Sequence, residues 1–276
     1  MTDPLPWLST PCVMGILNVT PDSLWGGEGP IAAGPAMERL AQMERDGAVI
    51  CDVGAESTRP GSEPVGAADQ LARLDGVLRA LRESPPSIAL SVDTSLAAVA
   101  EAALDAGAVL VNDVTAGRGD LAMLPLVAER GAALCLVHMR GAPRTMQSNP
   151  RYGDVVAEVR DHLAERLDAA VSAGIPAERI VLDPGIGFGK TLAHNLALLA
   201  RISELAALGR PILIGVSRKS MFGDLLGRGV DDRMPASIAA GLAAIARGAA
   251  VLRVHDVRET VDALRVWGAV GAGAAT

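Results

Sequence analysis

What most constrains this 276-residue chain is an alternation along its whole length: short runs of β-branched and aliphatic residues recur, separated by longer Ala- and Leu-rich segments. The β-like runs fall near 12–17, 48–53, 88–92, 109–111, 132–137, 179–182, 211–215 and 250–254. Segments with helical periodicity fill the gaps near 33–46, 66–83, 95–106, 120–130, 153–173, 192–207, 232–247 and 256–266. In LAAVAEAALDAGA, for example, alanines and leucines form one apolar face. Eight strand–helix units without a long linker, a fixed-period repeat or a low-complexity tract predict an α/β fold, a (β/α)₈ TIM barrel. It forms a single domain over 1–276 with its core at about 12–267. A doubly wound open sheet is the alternative. It would concentrate polar residues at one switch point, whereas here something chemically pointed follows every proposed strand.

The bulk properties narrow the class of ligand. Half of the residues are apolar, so a sizeable core is assured. The formal net charge of -7 argues against nucleic acid and against an anionic membrane, since either needs a basic face. A small molecule is the expected partner. Cys12, Cys51 and Cys135 lie in or beside apolar runs without CxxC or Cys/His spacing, and read as reduced, buried thiols. The start MTDPLPWLST has neither a basic nor an apolar leader region, and no uninterrupted apolar stretch reaches membrane-spanning length. A cytoplasmic protein is expected.

The most pointed stretch is IVLDPGIGFGK, residues 180–190. A buried strand ends in Asp183, where an ionised carboxylate survives only with a partner; it is either a helix cap or an acid facing a ligand. Gly185, Gly187 and Gly189 free the backbone to approach a flat ligand, and Phe188 stands in the loop. After the first strand, Asn18 offers a neutral oxygen that suits Mg²⁺ already shared with phosphates, or simply an Asx turn before Pro21. After the second comes Asp52 and then GAESTRPG, a loop that is either solvated or a source of donors for an anion. Asp93 and Asp113 follow later strands, each placed to cap the next helix, and Asp93 is also placed to face the mouth. Asp52, Asp93, Asn112 and Asp183 together would surround one cavity suited to a heterocycle rich in N–H donors. His138-Met139-Arg140-Gly141 is placed to line it, with His138 read as a satisfied structural histidine. Cations gather late, in SRKS at 217–220 and RVHD at 253–256, opposite the acids. GFGKT at 187–191 lacks the first glycine of a P-loop, which disfavours nucleotide triphosphate.

Taken together, MGILNVTPDS, DVGAESTRPG, SVDT, VNDV, HMRG, LDPGIGFGK, GVSRKS and RVHDV resemble the dihydropteroate synthase family, from about Val13 to Trp267. The resemblance implies a transferase of folate biosynthesis, a sulfonamide target. It would join p-aminobenzoate to 6-hydroxymethyl-7,8-dihydropterin diphosphate, releasing pyrophosphate with Mg²⁺ as cofactor and acting as a homodimer. It makes Asn18 the metal ligand. It gives the pterin to Asp93, Asn112, Asp183 and Lys219, and the diphosphate to Arg253 and His255. It places Thr58 and Arg59 in a mobile second loop and Ser220 at the p-aminobenzoate carboxylate, with Phe188 and Met139 among the substrate contacts. Asp93, Asp183, Lys219 and Arg59 would carry the catalysis. One departure stands out: after NVTPDS the family usually has a phenylalanine and Ser-Asp-Gly-Gly, whereas this chain has Leu24-Trp25-Gly26-Gly27-Glu28-Gly29. Two rival readings are a pterin-dependent methyltransferase domain, which SRKS and STRPG argue against, and a pterin-binding paralogue without turnover.

Overall fold

In a computed structural model, described over residues 5–6, 8, 11–20, 33–57 and 61–273, eight strands share one parallel sheet. They are β1 (Cys12–Asn18), β2 (Ile50–Gly54), β3 (Ala89–Asp93), β4 (Leu110–Asp113), β5 (Ala133–Val137), β6 (Ile180–Asp183), β7 (Leu213–Ile214) and β8 (Val251–Val254). Their order, β6-β5-β4-β3-β2-β1-β8-β7, brings the first and last strands side by side. A single bridge from Leu182 to Ile212 then joins the two edges into a barrel. The seam is thin because β7 is two residues long, and Pro211 just before it has no N–H to extend the ladder.

The helices are α1 (Ala33–Arg45), α2 (Ala67–Glu83), α3 (Ala97–Asp105), α4 (Met123–Arg130), α5 (Val155–Ser172), α6 (Leu192–Ala200), α7 (Ile202–Ala206), α8 (Met221–Leu226), α9 (Met234–Ile245) and α10 (Val257–Gly273). Strands buried on both faces explain the continuous apolar runs: every residue of β2, β4, β5 and β6 is buried. One face packs outward on helices, as Val13, Val53, Val111 and Leu182 meet Leu40, Leu74, Val99 and Leu198. The other fills the barrel, where Met14, Ile50, Leu110, Cys135, Val181 and Leu213 form a separate core. Leu5 joins this inner core beside Cys12, Ala133 and Ala250, which begin or precede their strands, so Leu5 covers that end. Fully burying each such aliphatic side chain contributes about 1.5–3 kcal/mol. The polar end is therefore the opposite one.

Two helical expectations change. The single helix expected over 192–207 breaks at Arg201, whose guanidinium leaves the helix line to bond Asp154 and Glu204. The short α8 was not foreseen, because its six residues are too few to show a period. It ends on Gly227 in the left-handed region. The three cysteines are free and buried, as expected.

Candidate functional site at the carboxyl ends of the strands

Strand register places the polar residues at one level. Asn18 pairs with Gly54, Gly54 with Asp93, and Asp93 with Asn112, so four neighbouring strands end together. A side chain at Gly54 would press on Asp93 Cβ and come into contact with Asn18 Oδ1, so the glycine leaves room for these two side chains to converge. Asp183 completes the ring from β6.

Acids and cations do not face each other across the mouth, as the sequence order suggests; they interleave. Arg253 on β8 reaches over β1: its Nε lies 2.6 Å from Asp52 Oδ2, and its Nη2 lies 2.6 Å from Asp93 Oδ2. Attraction to two buried carboxylates outweighs an outward position. Burial works against the guanidinium, but Asp52 and Asp93 more than offset it and raise its pKa. Asp93 is pushed up to about 7, chiefly by burial and against the pull of Arg253. It is not a helix cap. The first free N–H of α3, on Ala97, donates instead to Asp120. Asp113 likewise caps no helix and accepts from Thr115 and Gly117 in its own turn. Asn112 donates from Nδ2 to Asp52 Oδ2 at 2.9 Å, while Asn112 Oδ1, Asp52 Oδ1 and Ser91 Oγ have no protein partner.

The loop after β6 is a rigid ledge. Gly185 N–H donates to Asp183 Oδ1 at 2.6 Å, so one carboxylate oxygen closes the local turn and Oδ2 remains for other partners. Asp183 is therefore no helix cap, the following helix α6 being capped by Thr191, and the reading as an acid facing a ligand is the one its free oxygen suits. Burial raises its pKa, while Lys219 and the Gly185 amide oppose the rise. Lys219 donates to the Ile186 carbonyl and sits 4.5 Å from the centre of the Phe188 ring. Its pKa falls to about 8 because burial outweighs the nearby Asp183. Phe188 packs on Met139, Val114 and Met146, making an apolar wall beside the acids.

Several groups lie elsewhere. Ser220 is exposed at the start of α8, next in sequence to Lys219. His255 is half-buried with Nδ1 3.0 Å from Ser217 Oγ. Arg140 turns away from the mouth, pairing with Glu158 and lying over the Tyr152 ring. Arg218 pairs with Asp256. His138 is buried and satisfied by Lys190, as a structural histidine should be. Thr58, Arg59, Trp25 and Glu28 lie outside the described residues.

The sequence reading missed Lys190. Its Nζ is buried and contacts Gly185 O, Phe188 O and His138 Nδ1. Asn195 was missed too; its Oδ1 accepts from Gly187 N at 2.8 Å. The available signal was a lysine inside a glycine-rich loop, which was weighed only as a phosphate motif.

The ring of acceptors, the cation–π pair and the apolar wall make a slot for a flat heterocycle with N–H donors. A family model described as pterin binding enzyme matches residues 14–255. The chain is 44% identical to the dihydropteroate synthase of Escherichia coli K12 over 259 residues, covering 94% of this chain and 91% of that one. This chain belongs to the dihydropteroate synthase family. It is an enzyme of the transferase class of that family. Among solved structures, the family member from Xanthomonas albilineans with 4-aminobenzoic acid superposes with a TM-score of 0.89 at 44% identity, covering 96% and 94% of the two chains. The Burkholderia cenocepacia dihydropteroate synthase complexed with 7,8-dihydropteroate gives 0.85 at 47%, covering 96% and 92%. In this synthase-family chain, then, the eight-stranded barrel is the family's barrel. No helix among the described residues is long and apolar enough to cross a membrane.

Proposed function

We propose that this chain condenses 6-hydroxymethyl-7,8-dihydropterin diphosphate with p-aminobenzoate, giving 7,8-dihydropteroate and pyrophosphate. The observation that carries the reading is the set of Asp93, Asn112 and Asp183 at one strand-end ring, beside Lys219 over Phe188. The relatives named for this synthase, one with 4-aminobenzoic acid and one with 7,8-dihydropteroate, support it.

Departure of pyrophosphate leaves positive charge on the pterin methylene and ring. Asp93 and Asp183, fixed in a buried site, stabilise that charge as it develops. Lys219 and Phe188 hold the ring against the Met139 wall. Arg253 and His255 receive the departing anion, Arg253 by exchanging its Asp93 contact for phosphate oxygens. An arylamine is already uncharged near neutral pH and needs no strong base. Ser220, exposed beside Lys219, is the contact for the p-aminobenzoate carboxylate, and sulfonamides compete there as arylamine mimics.

Among the described residues no cluster of three acidic, histidine or cysteine side chains makes a metal cage. A single carboxamide, Asn18, at the mouth next to Asp93 fits a Mg²⁺ that keeps waters and binds mainly through phosphates. When bound, Mg²⁺ neutralises charge on the leaving diphosphate. The chain works in the cytoplasm, which suits three free buried thiols, as a homodimer, and without nucleic acid or membrane as partner.

A pyrophosphate-release assay with both substrates tests this reading. Release that depends on both substrates supports it. Calorimetric binding of the dihydropterin without release would instead assign the chain to the non-catalytic paralogue.

A further inference from the structure

Asp52 is fully buried in β2, so no ligand touches it directly. Yet one of its oxygens, Oδ2, holds two groups of the ring at once: Arg253 Nε at 2.6 Å and Asn112 Nδ2 at 2.9 Å. Arg253 comes from β8 and Asn112 from β4, on either side of β2 and β3. A buried acid with an unpartnered second oxygen costs stability unless its paired contacts offset the loss. Hydrophobic residues of the same size fill the equivalent inner positions below it, Ile50 and Leu110 among them.

We propose that Asp52 is a positioning residue for the reaction: its single oxygen Oδ2 sets the Arg253 guanidinium and the Asn112 amide relative to each other. This rests on the proposed pterin chemistry. With Nδ2 held by Asp52, the Asn112 amide keeps one orientation, Oδ1 being the end left for a donor. With Nε held by Asp52, Arg253 can release Asp93 and still pivot in place when an anion arrives. Asp52 also acts through space. The charged groups facing Asp93 are Arg253 from β8, Lys219 from the loop after β7, Asp52 from β2, Glu56 from the turn after β2 and Asp113 from β4. Arg253 favours the Asp93 carboxylate, and the three acids oppose it.

Two substitutions separate geometry from charge. In Asp52→Asn the amide oxygen takes the place of Oδ2 and keeps both contacts, while its nitrogen takes the place of unpartnered Oδ1 on the neighbour of Ser91. Only the charge is lost. In Asp52→Leu both contacts go as well. Initial rates of pyrophosphate release across the neutral pH range are the readout. For Asp52→Asn, KM for the pterin diphosphate should stay near the wild-type value because both contacts persist, and the acid limb of kcat/KM should move to lower pH because a like charge beside Asp93 has gone. For Asp52→Leu, KM for the pterin diphosphate should rise about tenfold or more, with KM for p-aminobenzoate unchanged. A pterin-diphosphate KM raised in Asp52→Asn as far as in Asp52→Leu, or equal rises in both KM values in Asp52→Leu, overturns the proposal. Should Asp52→Leu not fold, hydrogen exchange at Asn112 Nδ2 in the wild type decides alone, fast exchange overturning the proposal.

If the wild-type chain releases no pyrophosphate, the synthase reading fails and side-chain amide exchange decides the positioning. Only four asparagines occur in the chain, so selective ¹⁵N-Asn labelling resolves Asn112. Its Nδ2 protons should exchange slowly in wild type and fast in Asp52→Leu. Fast exchange in the wild type overturns the proposal.

Discussion

Lys190 Nζ lies 2.9 Å from His138 Nδ1, docking a lysine of the β6 loop on a histidine at the end of β5, both buried. Two side chains that each gain positive charge on protonation share one small space. Burial lowers both pKa values, His138 to about 2 and Lys190 well below its ordinary value, and Lys190 lowers His138 further. The histidine is therefore neutral and accepts at Nδ1, with its proton on Nε2. The lysine spends its remaining contacts on Gly185 O and Phe188 O.

Lys190→Met removes these donors and leaves buried carbonyls and His138 Nδ1 unpaired. The expected cost is about 3 kcal/mol, from several orphaned acceptors. A urea midpoint unchanged from wild type would show that the lysine is dispensable to the ledge.

The His138 shift has a sign. Its folded pKa lies below the unfolded value, so the unfolded state binds the proton and stability is lost as pH falls through about 6.5. Wild type should lose up to about 1.4 kcal/mol per pH unit relative to His138→Gln below that point. The glutamine keeps an acceptor for Lys190 without titrating. Parallel stability profiles for the two proteins would refute this.

Gly185 has φ of 66° and faces the His138 carbonyl so closely that a Cβ would overlap its oxygen. Gly185→Ala combines left-handed strain with a backbone clash and should cost about 3 kcal/mol or more. Thermal unfolding measures the loss directly. A shift of under a degree would mean the β5 and β6 loops are not held together here.

Asp183→Asn should keep the turn, since the amide oxygen replaces Oδ1 on the Gly185 N–H. The nitrogen then replaces Oδ2 and turns a donor toward the donors of the pterin. Binding should weaken by on the order of 2 kcal/mol with little change in stability. Calorimetry with a dihydropterin checks it, and unchanged affinity would leave Asp183 as a turn residue alone.

Lys219 and Ser220 are adjacent in sequence but differently placed, one on the Phe188 ring and one exposed. Lys219→Arg cannot lose its proton, so it should abolish the alkaline limb of kcat/KM near pH 8 that Lys219 sets in the free enzyme. Ser220→Ala should chiefly raise KM for p-aminobenzoate and keep that limb. Identical profiles for the two variants would erase the division of roles.

The fold class was written in local sequence because period and chemistry agree at every element. Buried parallel strands require continuous apolar runs, and the helices between them require one apolar face, so eight repeats of that pattern leave few architectures. Asp93, Asn112 and Asp183 were legible for a related reason: a polar residue at the end of a buried run is costly unless it has work or a partner there. The partners were not legible. Arg253 and Asp52 are about two hundred residues apart, and only the parallel pairing of the last strand with the first, β8 with β1, brings Arg253 near β2. The start of α3 and the end of α6 also escaped, since Asp120 and Arg201 act through contacts that no local period records. Sequence alone determined which residues can bear charge at the mouth, because burial pattern and residue chemistry are local properties. Tertiary structure decided which charges pair, because in a low-dielectric ring distances of a few ångströms, set by register and closure, determine whether Arg253 meets an acid or an anion.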